Sequence, residues 1–272
     1  MTVRSFVKRI LASSPVIDGL FRRIVWSRVH FPEVEMRYLN SLHRGAIDVA
    51  VDVGAATGSY AWILNRKSRL VICYEPGNVH SRMLESVSFG TRIRVVRAAV
   101  GDTNGVAEMY TPGFDSNALH SATLNRNNPV VNQPSTQVRK VKQVTLDSQF
   151  DKEIAPGRRV DVVKIDVEGH ELEVFRGAQK LIAHHHPLIF CEIEKRHNMN
   201  YAAVFGLMRS MGYTSYVFRG GRYLRFDGIE IGHLQTEAAL AARLRGDYDL
   251  KSNAYTNNFV FQHSKSRIKV VQ

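Results

Sequence analysis

Through the first 45 residues, apolar side chains recur at helical spacing: Phe6, Val7, Ile10 and Leu11, then Val16, Ile17, Leu20, Phe21, Ile24 and Val25. Arg4, Lys8, Arg9, Arg22, Arg23 and Arg28 take the other faces, so the pattern predicts two short basic amphipathic helices. Such helices can lie on an anionic membrane surface or pack as a lid on the main body of the protein. From residue 46 the texture changes. Short β-branched runs are followed by helical patterns: AIDVAVDVG by YAWILNRK, RLVICYEP by VHSRMLESV, VDVVKIDV by ELEVFRGAQKLIAHH, and PLIFCEIE by YAAVFGLMRSMG. Strands alternating with crossover-length helices predict an α/β fold with a mostly parallel sheet covered on both faces. The late runs YTSYVFRGGRYLRF and NNFVFQ differ, and Gly220-Gly221 reads as a hairpin turn, so the sheet is expected to finish with antiparallel strands.

One connection is too long for a plain crossover. Almost sixty residues separate IRVVRAAVG from VDVVKIDV, among them the polar stretch Asn125 to Gln137 with Pro129 and Pro134. Long connections in compact domains are either functional or loose surface loops, and the stretch fits both descriptions. The alternation of Val138, Val141 and Val144 predicts a strand within the insert, and Asp147 is expected to cap the helix after it. The chain therefore divides into a helical extension (1–45), an α/β domain (46–262) and a basic tail (263–272).

The composition, 44% hydrophobic and 23% charged with 19 Gly and 8 Pro in 272 residues, excludes collagenous, coiled-coil and wholly disordered classes. Cys73 and Cys191 sit in separate apolar runs without the spacing of a disulfide or zinc framework, which favours a reducing, cytoplasmic setting. No apolar run approaches the roughly 20 residues of a membrane span, and ILASSPVIDGLF is broken by Pro15 and Asp18. A net charge of +12 attracts anions such as nucleic acid, anionic lipid or acidic glycan without choosing among them.

The first strand ends in VDVGAATGSY, where Gly54 and Gly58 bracket a strand-to-helix turn of the kind that lets a ligand approach the helix N-terminus. Ala56 stands where a dinucleotide fingerprint has its second glycine, which weakens the case for a pyrophosphate. Asp52, at the strand's end, can attract a cationic group; S-adenosylmethionine carries an ammonium and a sulfonium, whereas NAD carries neither there. Glu75, at the tip of the second strand and 23 residues after Asp52 (75 − 52), is placed to accept both hydroxyls of a ribose.

The segment VVKIDVEGHELEVFRGAQKLI delivers Asp166, Glu168, His170 and Glu171 to one turn after a buried strand, where open α/β sheets place reactive groups. Candidates to take a proton from a hydroxyl are His170, favoured for its intrinsic near-neutral pKa, and the carboxylates of Asp166, Glu168 and Glu192. Lys164 can pair with one of these acids as internal scaffolding. Glu171 and Glu173 also suit a solvated first helical turn, the preferred reading for Glu173. Asp166 with Glu192 or Glu194 forms an alternative site for Mg²⁺. His184, His185 and His186 precede Pro187 and read as cations at a helix C-terminus, on the edge away from the cofactor.

Between about residues 47 and 195 the chain resembles the FkbM family of S-adenosylmethionine-dependent methyltransferases: VDVGAATG matches that family's glycine motif, YEP its second-strand acid, VTLD its pre-strand signature and KIDVEGHELEVFRGA its fourth-strand motif. Ala56 stands where the family's turn has Asn. The resemblance implies a class I methyltransferase (Rossmann-like) fold of seven strands with an antiparallel last strand, and methyl transfer to a hydroxyl oxygen of a small molecule, sugar or glycan. The candidate cofactor set is then Asp52, Gly54, Ala55, Gly58, Glu75 and Ala99, with His170, Asp166 and Glu168 for catalysis. The expected partner is a small-molecule or glycan acceptor, anionic if the basic surface serves it, with peripheral membrane contact through the N-terminal helices and no sequence-specific nucleic acid. Two other readings compete: a non-catalytic nucleic-acid- or membrane-binding protein on the same fold, and a nicotinamide-dependent oxidoreductase, against which the Gly54 to Gly58 spacing and Asp52 argue.

Overall fold

The computed structural model describes residues 33–113, 122–245 and 255–271. The two amphipathic helices expected before residue 26 lie outside the described residues. The extension is represented by helix α1 (Val34–Ser41), whose Met36 and Leu39 are buried.

The valine-rich runs form the strands expected of them. β1 (Ile47–Val53) and β7 (Val160–Ile165) are buried on both faces, because helices cover the sheet from either side. Val49, Val51 and Val53 enter one core with the helices α4 (Leu146–Glu153), α5 (Glu171–Arg176), α6 (Gln179–His185) and α7 (Tyr201–Ser210). Ala50 points the other way, into a second core with α1, α2 (Ser59–Lys67) and α3 (Asn78–Ser88).

The main sheet also contains β2 (Ser68–Tyr74), β3 (Ile93–Val96), β8 (Leu188–Glu192), β9 (Tyr213–Arg219), β10 (Arg222–Phe226) and β11 (Asn258–His263). Its order is β10-β9-β11-β8-β7-β1-β2-β3. β3, β2, β1, β7 and β8 run parallel, and β11 inserts antiparallel between β8 and β9. The seven strands expected are joined by an eighth, β10, which pairs antiparallel with β9 across Gly220 (φ 57°) and Gly221 (φ 82°). The chain leaves β1 toward β2 on one side and returns to β7 on the other. That change of direction opens a crevice at the carboxyl ends of the strands.

The long insert is folded. β4 (Ala99–Val100), β5 (Gly105–Thr111) and β6 (Gln137–Val144) form a separate sheet of order β4-β6-β5, of which β6 is the strand that the valine alternation predicts. Residues 122–137 are ordered rather than a loose loop, with a 3₁₀ turn at Pro129–Asn132 capped by the Asn128 side chain. Thr145, not Asp147, caps α4, accepting from Ser148 N–H. Asp147 already lies inside the helix. Its carboxylate instead accepts from the free N–H groups of Lys180 and Leu181 at the start of α6.

The basic tail is docked through residue 271. Arg267 forks onto the buried Asp161 carboxylate, Gln262 Oε1 accepts from Val270 and Val271 N–H, and Ile268 and Val270 pack on the second core. Both cysteines are free and buried. Among the described residues no helix is long and apolar enough to cross a membrane.

A candidate cofactor cleft above a buried acid cluster

The crevice is a cleft of about 780 Å³, open to solvent. The ends of β1 and β2 contribute Gly54, Ala56 and Glu75; the turn after β7 contributes Asp166, Glu168 and His170. Ala98, Ala99 and Val100, with Met109, Ala122 and Leu124 from the insert, form the apolar wall.

Glu75 is fixed by two backbone donors: Oε2 accepts from Ala56 N–H at 2.9 Å and Oε1 from Gly77 N–H at 2.7 Å. Ala56 holds a left-handed φ of 46°, so the residue in the second-glycine position contributes its N–H to the site. Burial pushes the Glu75 carboxyl up to about 7, against the pull of these two hydrogen bonds. Each oxygen keeps a lone pair for a further donor. Of the other predicted cofactor residues, Ala99 and Gly54 reach the wall, whereas Asp52, Ala55 and Gly58 do not. Ala55 belongs to the second core, and Gly58 (φ 95°) is the N-cap of α2.

Asp52 lies beneath the cleft, next to Lys164 across the β1–β7 ladder. Lys164 is 1% exposed and is the centre of an acid cluster: its Nζ is 3.9 Å from Asp166 Oδ2, 4.0 Å from Glu192 Oε2 and 3.2 Å from Asn258 Oδ1, and stands 4.9 Å from the Tyr60 ring centroid. Glu33 closes the cluster through Tyr60 O–H and Asn258 Nδ2. Asp166 and Glu192 thus share one ammonium. Burial, opposed by Lys164, moves Asp52 up to about 7 and Asp166 up to about 6; burial also raises Glu192, and the surrounding acids hold Lys164 protonated in spite of its own burial. Asp52 Oδ2 has no hydrogen-bond partner. The Asp166–Glu192 pair, read from sequence as an alternative Mg²⁺ site, is thus bridged by the protein's own ammonium. Among the described residues no group of three or more His, Cys, Asp or Glu is arranged to hold a metal ion.

Glu168 adopts a left-handed φ of 53° and is held there from several sides. Its carbonyl accepts from Thr123 O–H and Asn128 Nδ2, and its carboxylate lies 2.6 Å from His197 Nδ1. Asn125 Nδ2 bridges the carbonyls of Gly169 and His197. Glu171 is buried rather than solvated, accepting from Gly169 N–H and Asn198 Nδ2, and its carboxyl is pushed up to about 7 by burial. His170 borders the cleft, but Nδ1 faces Glu173 at 3.5 Å and Nε2 is buried against Gly101 without a hydrogen-bond partner. Burial lowers its pKa. Glu173 stays partly exposed, and His184 and His185 line a separate hollow with Phe150 and Arg158.

Sequence reasoning missed Thr123, Asn125, Asn128, His197, Asn257 and Asn258. Most sit in stretches without periodicity, and only the paired asparagines at the start of the last strand offered a signal. Asn257 Nδ2 reaches both Glu192 and Glu194.

This arrangement coincides with a family match: residues 52–215 fit the Methyltransferase FkbM domain, and the chain belongs to that family. No curated protein matches the chain. Similar solved structures include the FkbM methyltransferase of Methylobacillus flagellatus KT, with 15% identity over 83% of this chain and 50% of that one and a TM-score of 0.46. This chain therefore spans half the length of that protein. An O-methyltransferase from Bacillus cereus, solved with S-adenosylhomocysteine, is 12% identical over 91% and 89% of the two chains, with a TM-score of 0.43. An rRNA methylase from Streptococcus thermophilus is 9% identical over 86% and 95%, also with a TM-score of 0.43.

Proposed function

We propose that the chain is an S-adenosylmethionine-dependent O-methyltransferase acting on a hydroxyl of a small molecule or glycan. The observation that carries this reading is the charge of the cleft: its wall presents Glu75, Asp166 and Glu168, and neither Lys nor Arg lines it among the described residues. A pyrophosphate or a nucleic-acid backbone meets repulsion there, whereas a ligand with a sulfonium, an ammonium and a ribose meets complementary groups. Glu75 would hold the ribose hydroxyls, and Asp166, with the acid cluster below it, would face the cationic end.

When bound, the cofactor would supply an activated methyl group for an acceptor hydroxyl, whose proton must leave. The protein's part is to align the acceptor, exclude water and receive that proton. Asp166 and Glu168 line the cleft, whereas His170 turns Nδ1 to Glu173 and buries Nε2, so these acids are the better placed acceptors. The net charge of +12 supports an anionic acceptor drawn in from outside. The two free buried cysteines support a reducing, cytoplasmic setting.

Calorimetry of the full chain with S-adenosylmethionine, S-adenosylhomocysteine and NAD tests the reading. Binding of the first two and no binding of NAD is expected. Binding of NAD alone, or of none, overturns it.

A further inference from the structure

Beside the cleft lies a second chamber of about 780 Å³, and the cofactor reading leaves it without an occupant. The two spaces share Glu75, His80, Met109 and Ala122, so a ligand in one borders a ligand in the other. The start of α3 builds one side of the chamber, and β5 and β6 of the insert build another. In the β5–β6 ladder Met109 stands opposite Arg139 and Thr111 opposite Gln137; strand alternation turns these four to the chamber, while Glu108 and Lys140 face the other way. Glu108 is taken up on that outer face by Arg126 and by Tyr110 O–H.

Arg139 therefore has no acid opposite it. Among the described residues its side chain makes no ion pair and donates one hydrogen bond, from Nη2 to Gln137 Oε1 at 3.2 Å. The rest of the wall is largely apolar, formed by Val79, Met109, Pro112 and Ala122. Val79 is 45% exposed, an apolar side chain that the described residues leave uncovered.

We infer that this chamber receives the acceptor, and that the acceptor is a largely apolar hydroxylated molecule whose one carboxylate or phosphate is held by Arg139. The inference rests on the cofactor reading given above and names the substrate class for that same site. Charge sets the direction of entry. Glu75, Asp166 and Glu168 repel an oxyanion from the cleft, whereas the guanidinium of Arg139 offers it a planar fork of donors. The anionic end is thus retained at the insert, and the uncharged hydroxyl end is the one that can approach the acids of the cleft. The apolar walls favour a ring or chain over a saccharide, whose hydroxyls would give up water there without finding partners.

The test is a ligand-observed NMR titration of the full chain, saturated with S-adenosylhomocysteine, using 4-hydroxybenzoate, phenyl phosphate, the neutral 4-hydroxybenzamide and glucuronate as probes. At least one of the two aromatic anions should bind at millimolar concentration or below, about tenfold or more tighter than the amide, and the tighter of the two identifies the oxyanion. Arg139→Gln should abolish this preference while leaving the affinities for the amide and for S-adenosylhomocysteine unchanged. Lys140→Gln removes the same charge from the opposite face and should keep the preference. Equal binding of anions and amide, no binding of either anion, a preference that survives Arg139→Gln or is lost as fully in Lys140→Gln, or binding of glucuronate in place of the aromatic anions overturns the inference and leaves the cofactor reading standing. Weaker binding of S-adenosylhomocysteine to Arg139→Gln also overturns it, by assigning the chamber to the cofactor. Failure of the wild type to bind S-adenosylhomocysteine would instead overturn the cofactor reading. Should Arg139→Gln fail to fold, Arg139→Lys, which keeps a charge but loses the fork, takes its place and should lower the preference.

Discussion

A β-carbon on Gly54 would lie 1.8 Å from the carbonyl oxygen of Asp166, so β1 and β7 leave the sheet in backbone contact. The glycine of the first motif is there for that contact as much as for a ligand. Gly54→Ala should be destabilised by more than the roughly 1–2 kcal/mol that a left-handed φ costs an ordinary residue, because the strand ends must also part. Asp166 and Glu75 would then no longer face one cleft. Thermal melts with and without S-adenosylhomocysteine check this: a lower melting temperature and a lost ligand shift are expected, and wild-type behaviour in both would show that the contact is dispensable.

Glu75 does two jobs, and substitution separates them. Removing its carboxylate in Glu75→Ala takes away a charge-assisted acceptor pair for the ribose and leaves Ala56 and Gly77 N–H unpaired. Cofactor affinity should fall by a few kcal/mol, on the order of 10- to 1,000-fold. Titration calorimetry with S-adenosylhomocysteine reads the change, and unaltered affinity removes Glu75 from the site.

The parallel half of the fold was legible because its strands are buried on both faces and carry an uninterrupted signal, as in VDVVKI. Glu75 and Asp166 were legible for a related reason: each directly follows such a strand. β5 was not, since most of GVAEMYT is exposed or half-exposed and its first residue is a glycine. The hold of the insert on the cleft was invisible too. It consists of Thr123, Asn125 and Asn128 reaching carbonyls 40 or more residues away, which no local periodicity encodes. The role of Lys164 was half visible: a lysine in a β-branched run must find acids, but that Asp52, Asp166 and Glu192 crowd round it follows from the register of three strands.

Asn125 ties the insert to the turn after β7 at two points, since one amide serves the carbonyls of both Gly169 and His197. Asn125→Leu leaves those carbonyls without a donor and should cost about 1–3 kcal/mol, the desolvation penalty of unpaired polar groups. The insert is expected to loosen from residue 122 onward. Urea unfolding gives the stability change, and hydrogen exchange at Gly169 and His197 should rise. If stability and exchange both match the wild type, the insert is held by other contacts.

The acids under and around the cleft make stability depend on pH in a direction opposite to that of ordinary ion pairs. Burial moves Asp52, Glu75 and Glu171 from ordinary carboxyl values to about 7. Between roughly pH 4 and 7 the folded protein then binds more protons at these sites than the unfolded chain does, so their contribution to stability is complete below the unfolded values and is lost as pH rises through 7. Each pKa unit corresponds to about 1.4 kcal/mol, so a single site can account for a few kcal/mol. Asp52 isolates the effect, because its Oδ2 has no hydrogen-bond partner and an amide keeps its shape without a charge. Asp52→Asn should lose less stability than the wild type between pH 5.5 and 8, and become the more stable of the two toward pH 8. Urea unfolding of both proteins across that range measures the difference. Parallel curves would mean that Asp52 stays ionised throughout, held by Lys164 more strongly than burial opposes it.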